Sequence, residues 1–212
     1  MKIMNFSAAL GLAVVLTLNG CASDKIQAPT GAPASSAIET APAAEKGESI
    51  GADGTPCEMP LSFDAAADWK ATAVDAKTLG ELAGLAKVGD FTVVCEIDAK
   101  PAGSIGFIRV HVADGLSGLP REHLAAFVKA DGTGKEISGE TYTDVQIAGA
   151  QAAEVTWEAY SQVADQRTKY TAFALNTKAG AVVVRLAPLD EGEREGMLPA
   201  YELAKQTVKL AA

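Results

Sequence analysis

The sequence predicts an α+β fold, in which an antiparallel sheet of about six or seven strands has two or three helices packed against it. Three observations support this prediction. Segments with apolar residues at every second position recur between residues 61 and 188, as in half-buried strands. Segments with apolar residues at helical spacing lie between these strands and after the last of them. A stretch rich in Ala, Pro, Ser and Gly precedes the first strand and predicts a disordered tether.

The strands are predicted from their alternation. In FTVVCEID, one face is expected to carry Phe91, Val93, Cys95 and Ile97. The segments KYTAFALNT and AVVVRLAPL flank Lys178-Ala179-Gly180 and therefore predict a hairpin. Shorter strands are expected at LSFDA and WKATAV.

Two further strands follow the same pattern. In SIGFIRVHV, Ile108 and Val110 are expected on one face, and Arg109 and His111 on the other. In AAEVTWEAY, apolar residues alternate with polar ones. This apolar set is Ala153, Val155, Trp157 and Ala159.

Three segments have helical signals. TLGELAGLAK begins with Thr78 and Glu81 at the spacing of a capping box. PREHLAAFVKADG has Pro120 at its first helical position. EREGMLPAYELAKQTV contains Pro199, which must lie in the first turn or kink the helix. The apolar stripes of the last two segments are Leu124, Phe127 and Val128, and Met197, Leu198, Tyr201 and Val208.

Residues 1–20 have the parts of a cleaved export signal. Lys2 supplies a positive charge, and a mostly apolar run from Ala8 to Leu18 follows it. At about 1.5 Å per residue, this run is too short to span a hydrocarbon core of ~30 Å. It ends in Leu18-Asn19-Gly20-Cys21, which resembles the lipobox of bacterial lipoproteins, with Asn19 in place of the usual small residue.

The lipobox resemblance implies that Cys21 is the first residue of the mature protein and carries lipid. Two or three acyl chains, at about 0.8 kcal/mol per buried CH₂, attach a protein stably to a membrane. The alternative is an ordinary signal peptide with an incidental cysteine. Ala22 and Ser23 are not the aspartate associated with inner-membrane retention. The resemblance therefore implies the periplasmic face of the outer membrane in a Gram-negative source, or the outer face of the cell membrane in a Gram-positive one.

The sequence divides into a signal peptide (1–20), a lipidated tether (21–56) and a globular domain (57–212). The sizeable aliphatic residues of the tether are only Ile26, Ile38 and Ile50, too few to offset the entropy of ordering it. A flexible coil of this length reaches roughly 30–35 Å, which would hold the domain clear of the bilayer. The remaining residues suffice for one hydrophobic core.

The net charge of the protein limits the kinds of partner that it can bind. The chain carries a net charge of −9, or −10 once Lys2 is lost with the signal peptide, and it has no basic patch. Nucleic acid is therefore excluded as a partner, because its phosphates would repel the protein.

The two cysteines that remain besides Cys21 are expected to pair. An oxidising compartment would favour a disulfide between Cys57 and Cys95. Two free thiols or a metal site are the alternatives, although no His or Cys lies at ligand spacing.

Three segments resemble PsbP-like domains (the Mog/PsbP/LpqN group). SFDAAADW resembles their strand-then-Trp start, and DVQIAGAQAAEVTWEAY resembles their central strand, Gly turn and long strand. The segment from FALNTKAG to TVKL resembles their final hairpin, acidic loop, helix and short last strand. The resemblance covers residues 60–210 and implies an accessory or binding protein without catalytic residues.

Few residues are candidates for catalysis or metal binding. The two histidines are His111, interpreted as a surface or boundary residue, and His123, interpreted as solvent-facing. Ser104 lies in AGSIG, which lacks the first Gly of a nucleophile elbow and is better explained as a hairpin turn. No zinc or phosphate-binding motif accompanies them.

Two other groups of residues, one acidic and one aromatic, are better explained by a structural role than by a functional one. The acidic residues of LDEGERE suit the start of a helix, where the helix dipole favours negative charge, and they lack the spacing of an EF-hand. Three aromatic residues could line a binding groove, but their spacing is more typical of a core. They are Trp69, Trp157 and Tyr201.

These observations lead us to expect a non-enzymatic, membrane-anchored envelope lipoprotein that binds another protein or assists assembly. We expect no cofactor, metal site or catalytic residue. A small-ligand carrier is the alternative, and an envelope hydrolase would need Ser or carboxylate groups that converge near His111. The predicted modification sites are Cys21 for lipid and Cys57 with Cys95 for the disulfide.

Overall fold

A computed structural model describes residues 44–75 and 77–211. The predicted signal peptide, the lipidation site at Cys21 and the tether up to residue 43 lie outside these residues. Within them, eight strands form one antiparallel sheet and three form a second. The predicted α+β fold is confirmed.

The strands and helices of the described residues are as follows. The first strands are β1 (Lys46–Ile50), β2 (Leu61–Ala66), β3 (Lys70–Ala73), β4 (Lys87–Val88), β5 (Phe91–Asp98) and β6 (Gly106–Asp114). The later ones are β7 (Glu136–Ile147), β8 (Ala150–Ser161), β9 (Gln166–Thr177), β10 (Gly180–Pro188) and β11 (Lys209–Leu210). The α-helices are α1 (Pro120–Asp131) and α2 (Glu191–Thr207), and 3₁₀ helices span Gly80–Ala86 and Lys100–Ala102.

The large sheet has the strand order β3-β5-β6-β10-β9-β8-β7, with β4 paired to the start of β5. The small sheet has the order β1-β2-β11. The predicted hairpin is confirmed, since β9 and β10 pair around the Lys178-Ala179 turn. None of the helices in the described ranges is long and apolar enough to cross a membrane.

The two α-helices cover opposite faces of the large sheet. On one face, α2 and β2 pack against a core that includes Val110, Phe173 and Val184. On the other face, α1 packs through Leu124, Phe127 and Val128, as predicted. Trp157 and Tyr201 are fully buried core residues, as expected, and Trp69 is partly buried and packs against the first core.

The fold begins earlier in the chain than predicted. β1 pairs with β2, and Ile50 is fully buried, so residues 44–56 belong to the domain and not to a tether. The sequence does not predict the strand KGESI, because it is an edge strand with a single buried apolar residue. Gly51 follows it with φ +100, where a Cβ atom would lie 2.1 Å from the carbonyl oxygen of Leu61.

The predicted disulfide is confirmed. Cys57, in the loop between β1 and β2, is bonded to Cys95 of β5, with their Cα atoms 5.8 Å apart. This bond ties the small-sheet region to a central strand of the large sheet.

One predicted face is wrong. Val93 pairs with His111, but Cys95 pairs with Val110, so Val94 forms a bulge in β5. Phe91 therefore packs in the α1 core, whereas Cys95 and Ile97 pack in the α2 core. A bulge adds one residue to a strand and reverses the side-chain alternation beyond it.

The first predicted helix forms as a 3₁₀ helix without the expected capping box. Its N-cap is Leu79, which makes no side-chain capping bond, and the Thr78 hydroxyl instead donates to the carbonyl of Asp75 at 2.8 Å. Gly80 has φ +54, which is incompatible with the start of an α-helix. The two short strands LSFDA and WKATAV also form, but they belong to different sheets.

The last helix contains Pro199 in its interior and not in its first turn. Pro199 has no N–H to donate, and its carbonyl accepts a bond of 3.1 Å from the backbone N–H of Ala44. Met197 and Tyr201 face the core as predicted.

Candidate functional site

Two adjoining cavities lie along β6 on the face of the large sheet that also carries α1. The larger has a volume of 510 Å³ and extends beneath the 3₁₀ helix Gly80–Ala86. The smaller has a volume of 350 Å³ and lies at the start of β6. Arg109, Asp131 and Arg185 line both cavities. We refer to the two cavities together as the β6 groove.

Strand register brings the charged residues of this groove together. Arg109 and His111 lie on the same face of β6, as predicted, opposite Ile108 and Val110. Arg109 pairs across the sheet with Glu96 of β5 on one side and with Arg185 of β10 on the other. The groove therefore contains a Glu-Arg-Arg row across three strands.

Each arginine has a carboxylate partner. Arg109 Nε lies 2.6 Å from Glu96 Oε1, and both side chains are one-third exposed. Arg185 Nη1 lies 2.7 Å from Asp131 Oδ1 at the end of α1, and both of these side chains are buried. Lys135 also approaches Asp131, at 3.6 Å.

Aromatic rings hold Arg185 in place. Its guanidinium carbon lies 4.3 Å from the ring centroid of Tyr170 and 5.6 Å from that of Trp157. A cation over an aromatic face is stabilised by the ring quadrupole. Arg185 Nε and Trp157 Nε1 are buried and have no hydrogen-bond acceptor among the described residues.

His111 is buried, which corrects its interpretation as a surface or boundary residue. It pairs with Val93 and Val183 on the neighbouring strands, and its ring packs edge-on against Phe127, with centroids 4.8 Å apart. Burial, together with the positive charges of Arg185 and Arg109, lowers the pKa of His111 to about 3. The imidazole is therefore neutral at physiological pH, and its Nδ1 has no partner among the described residues.

His123 is also buried, and its predicted exposure to solvent is wrong. It lies in the first turns of α1, where its Nε2 is 3.1 Å from Asn176 Oδ1 of β9. Asn176 in turn donates to the carbonyl of Gly118, at 2.9 Å. This histidine attaches the start of α1 to the sheet and lies apart from the residues that line the β6 groove.

The remaining sequence candidates have structural roles. Ser104 lies in the connection between the antiparallel strands β5 and β6, as the hairpin interpretation predicted. Asp190 caps α2 by accepting a bond of 2.9 Å from the N–H of Glu193. Across the described ranges, His, Cys, Asp and Glu side chains form no group of three or more that could hold a metal ion.

An exposed leucine row borders the larger cavity. Leu79, Leu82 and Leu85 are 37%, 60% and 80% exposed, respectively. Leu82 and Leu85 are three residues apart within this 3₁₀ helix and therefore lie above one another, and Leu79 is the N-cap of the same helix. We refer to these leucines as the leucine row. Leu79 and Leu85 also line the cavity. At the far end of the groove, Ile105 and Leu189 are half-exposed and line the smaller cavity.

Most of this site is not evident from the sequence. The alternation in β6 places Arg109 on the correct face, but nothing in the sequence indicates that it pairs with Arg185. One signal was available: AVVVRLAP places a single arginine in a strand that is otherwise apolar on both faces. Such a residue requires a buried partner, although the sequence does not indicate which one.

The fold defines the class of protein. The structure is similar to the solution structure of cyanobacterial PsbP (CyanoP) from Synechocystis sp. PCC 6803, with a TM-score of 0.53 and 10% sequence identity. The match covers 78% of this chain and 98% of that one. The chain therefore has the PsbP-like fold, which confirms the resemblance noted in its sequence.

Comparison of the sequence with family models identifies the family of this protein. A family model described as "Uncharacterised lipoprotein" matches residues 13–208, and the chain belongs to this family. No curated protein matches the sequence significantly. Membership supports a membrane-anchored location in the cell envelope.

Proposed function

We propose that this protein is a non-enzymatic envelope lipoprotein, anchored through acyl chains on Cys21, whose domain binds another envelope protein along the β6 groove. The leucine row is the observation that carries this proposal. Its three leucines are exposed within one short segment, and two of them, Leu79 and Leu85, line the larger cavity. Exposed apolar side chains grouped in this way are typical of interaction sites.

The composition of the groove supports binding over catalysis. Among the described residues that line it, none is a serine or a cysteine, and Thr78 is the only one with an aliphatic hydroxyl group. His111 is a poor general base, because a group with a pKa of about 3 accepts a proton weakly at neutral pH. The arginines already have carboxylate partners, an arrangement that suits recognition more than proton transfer.

Site-specific crosslinking tests the partner-binding proposal. A photoreactive residue, p-benzoylphenylalanine, would replace Leu82 or Leu85 in the full chain, in cells that naturally produce the protein. Val163 provides the control position, because it is fully exposed and lies in the turn between β8 and β9. We expect the same discrete protein adduct from positions 82 and 85, and no such adduct from 163. Equal labelling at all three positions, or none at 82 and 85, would overturn the proposal.

A separate experiment tests the anchor. Intact-mass measurement of the native protein should show acyl chains on Cys21, and Cys21→Ser should move the protein from the membrane fraction to the soluble fraction. The outer membrane is the expected membrane in a Gram-negative source, and the cell membrane in a Gram-positive one. A native mass without lipid would contradict the anchor and leave the partner-binding proposal unaffected.

A small-ligand carrier is the second candidate. The volume of the larger cavity, 510 Å³, falls within the range of about 300–1,000 Å³ usual for ligand pockets. Native mass spectrometry of the purified full chain would distinguish the two functions. A stoichiometric small molecule that is displaced by Val93→Trp would favour the carrier over the partner-binding proposal, because Val93 lines this cavity.

A further inference from the structure

The central feature of the β6 groove is a pair of like charges. Arg109 of β6 and Arg185 of β10 lie directly opposite each other in the sheet. Like charges at opposite positions destabilise a pair of strands. Glu96 and Asp131 offset this repulsion, since each makes a close contact with one arginine, at 2.6 Å and 2.7 Å.

Arg109 keeps hydrogen-bonding capacity that the domain does not use. Among the described residues its side chain donates only through Nε, to Glu96. The guanidinium carbon lies 5.0 Å from the ring centroid of Phe107, and neither Nη group donates a hydrogen bond to another described residue. Because the side chain is one-third exposed and lines both cavities, these Nη donors are accessible from the groove.

The groove has a small excess of positive charge in an acidic protein. Its lining contains four cationic side chains, Lys87, Arg109, Lys135 and Arg185, and three carboxylates, Asp75, Glu96 and Asp131. His111 adds no charge at neutral pH. One positive charge is therefore uncompensated, although the whole chain carries −9.

The shape of the groove suits an extended chain. It follows β6 from His111 to Gly106 and continues to Ile105, just before the strand, and six steps along an extended chain correspond to about 20 Å. Exposed apolar side chains lie at both ends, Leu79 and Leu85 at one and Ile105 and Leu189 at the other. A small molecule held inside either cavity would leave much of these side chains uncovered, whereas a polypeptide could cover both ends.

We propose that the β6 groove binds an extended segment of a partner protein that carries one carboxylate between apolar side chains. The carboxylate accepts hydrogen bonds from Arg109 Nη1 and Nη2, and the apolar side chains lie against the leucine row and against Ile105 and Leu189. Arginine suits this role because its planar fork of donors matches the two oxygens of a carboxylate. This inference rests on the proposed partner-binding function and specifies the chemistry of the partner.

Two variants have opposite expected effects, which separates recognition from folding. Arg109→Gln removes the cation, and Glu96→Gln removes the carboxylate that competes for it. The matched controls are Arg167→Gln and Glu158→Gln, from a half-exposed ion pair of 3.6 Å between β9 and β8. Circular dichroism and thermal unfolding would show whether each full-length variant is folded.

Defined peptides provide the probe for all four variants and the wild-type chain. Acetyl-Leu-Thr-Glu-Thr-Thr-Thr-Leu-amide presents Leu, Glu and Leu on one face when extended, with its leucines six steps apart like the two ends of the groove, and the Gln peptide is its uncharged counterpart. For the full-length protein in detergent, we expect the Glu peptide to bind about 10-fold more tightly than the Gln peptide, as a hydrogen-bonded charge should provide. This ratio should fall to about one in Arg109→Gln, rise in Glu96→Gln, and stay unchanged in both controls.

Three outcomes of the peptide measurements would overturn the inference. They are equal affinities for the two peptides, the absence of binding by both, and a ratio that Arg109→Gln leaves unchanged. Octanoate, a free carboxylate on an apolar chain, gives a further comparison. One result would be that octanoate competes with the Glu peptide for the groove and binds the wild-type chain more tightly than the peptide does. In that case the groove is a site for small amphiphiles, and the inference fails.

The peptide and crosslinking experiments test separate claims, so either claim can be contradicted without the other. A preference for the Glu peptide without adducts at positions 82 and 85 would support the carboxylate site and contradict the proposed cellular function. Adducts at positions 82 and 85 that persist in Arg109→Gln, without a preference for the Glu peptide, would support partner binding and overturn the carboxylate inference.

Discussion

Arg185 and Asp131 form a buried ion pair that joins the middle of β10 to the end of α1. Their Nη1 and Oδ1 atoms lie 2.7 Å apart, and the two side chains are only 6% and 7% exposed. Removing one partner of a buried pair leaves the other charge uncompensated, which costs far more than the net value of the pair. The sheet can therefore hold the buried Arg185 in the wall of the groove only because Asp131 neutralises its charge.

We predict that Asp131→Asn lowers the free energy of unfolding by about 3 kcal/mol, because Arg185 loses its charged partner. Glu158→Gln, in the half-exposed pair with Arg167, should cost about 0–1 kcal/mol. The double variant Asp131→Leu/Arg185→Met should recover much of the loss, since no buried charge remains. Guanidinium-induced unfolding measures all three. Equal stabilities for Asp131→Asn and Glu158→Gln would contradict this account.

Tyr201 and Glu154 provide a second contact between a helix and the sheet. The fully buried Tyr201 of α2 donates a hydrogen bond of 2.9 Å to Glu154 on β8. Lys205 also contacts Glu154, at 3.1 Å, and Glu202, at 2.8 Å. Glu154 would therefore remain paired without the tyrosine hydroxyl.

We predict that Tyr201→Phe lowers the free energy of unfolding by about 1 kcal/mol, the usual net value of one hydrogen bond. Tyr201→Ala should cost about 3–5 kcal/mol, because it also leaves a cavity in the core. Tyr160→Phe is the matched control, since Tyr160 donates to Asp165 in the exposed turn after β8, and it should leave stability unchanged. A loss from Tyr201→Phe as large as that from Tyr201→Ala would contradict the assigned role of the hydroxyl.

The sequence was sufficient to predict elements whose signals are local. Alternation assigned Ile108, Val110 and His111 to their correct faces because β6 has no bulge. Pro120 indicates the start of α1, because a residue in the first turn of a helix has no intrahelical acceptor for its N–H and proline has no N–H to satisfy. The stripe of Leu124, Phe127 and Val128 then identified the buried face of that helix.

Features that depend on distant contacts could not be predicted in this way. The bulge at Val94 lies within an apolar run, FTVVC, in which either register places apolar side chains on both faces. β1 is a strand only because β2 pairs with it. Arg185 and Asp131 are 54 residues apart, so nothing local connects the strand arginine to the carboxylate that neutralises it.

The disulfide should contribute substantially to stability. Cys57 and Cys95 are 38 residues apart, and in the chain-entropy model a crosslink of this span stabilises a protein by about 4 kcal/mol. We predict that reductant lowers the guanidinium midpoint of the wild-type chain to that of the Cys57→Ala/Cys95→Ala variant. The variant itself should not respond to reductant. An unchanged wild-type midpoint after complete reduction would show that the bond contributes little.

The pH dependence of stability should reflect His111. Its pKa is about 3 in the folded protein and near 6.5 in the unfolded chain, so below pH 6.5 the unfolded chain binds a proton that the folded protein does not. The free energy of unfolding should therefore fall as the pH falls, by about 2 kcal/mol from this residue between pH 7 and pH 5. His111→Phe keeps an aromatic ring against Phe127 and has no group to titrate. Urea unfolding at several pH values should show that the wild-type chain loses about 2 kcal/mol more than His111→Phe over this interval, whatever their stabilities at pH 7. Parallel pH profiles for the two proteins would mean that the imidazole can be protonated within the fold, and that water or a carboxylate reaches it.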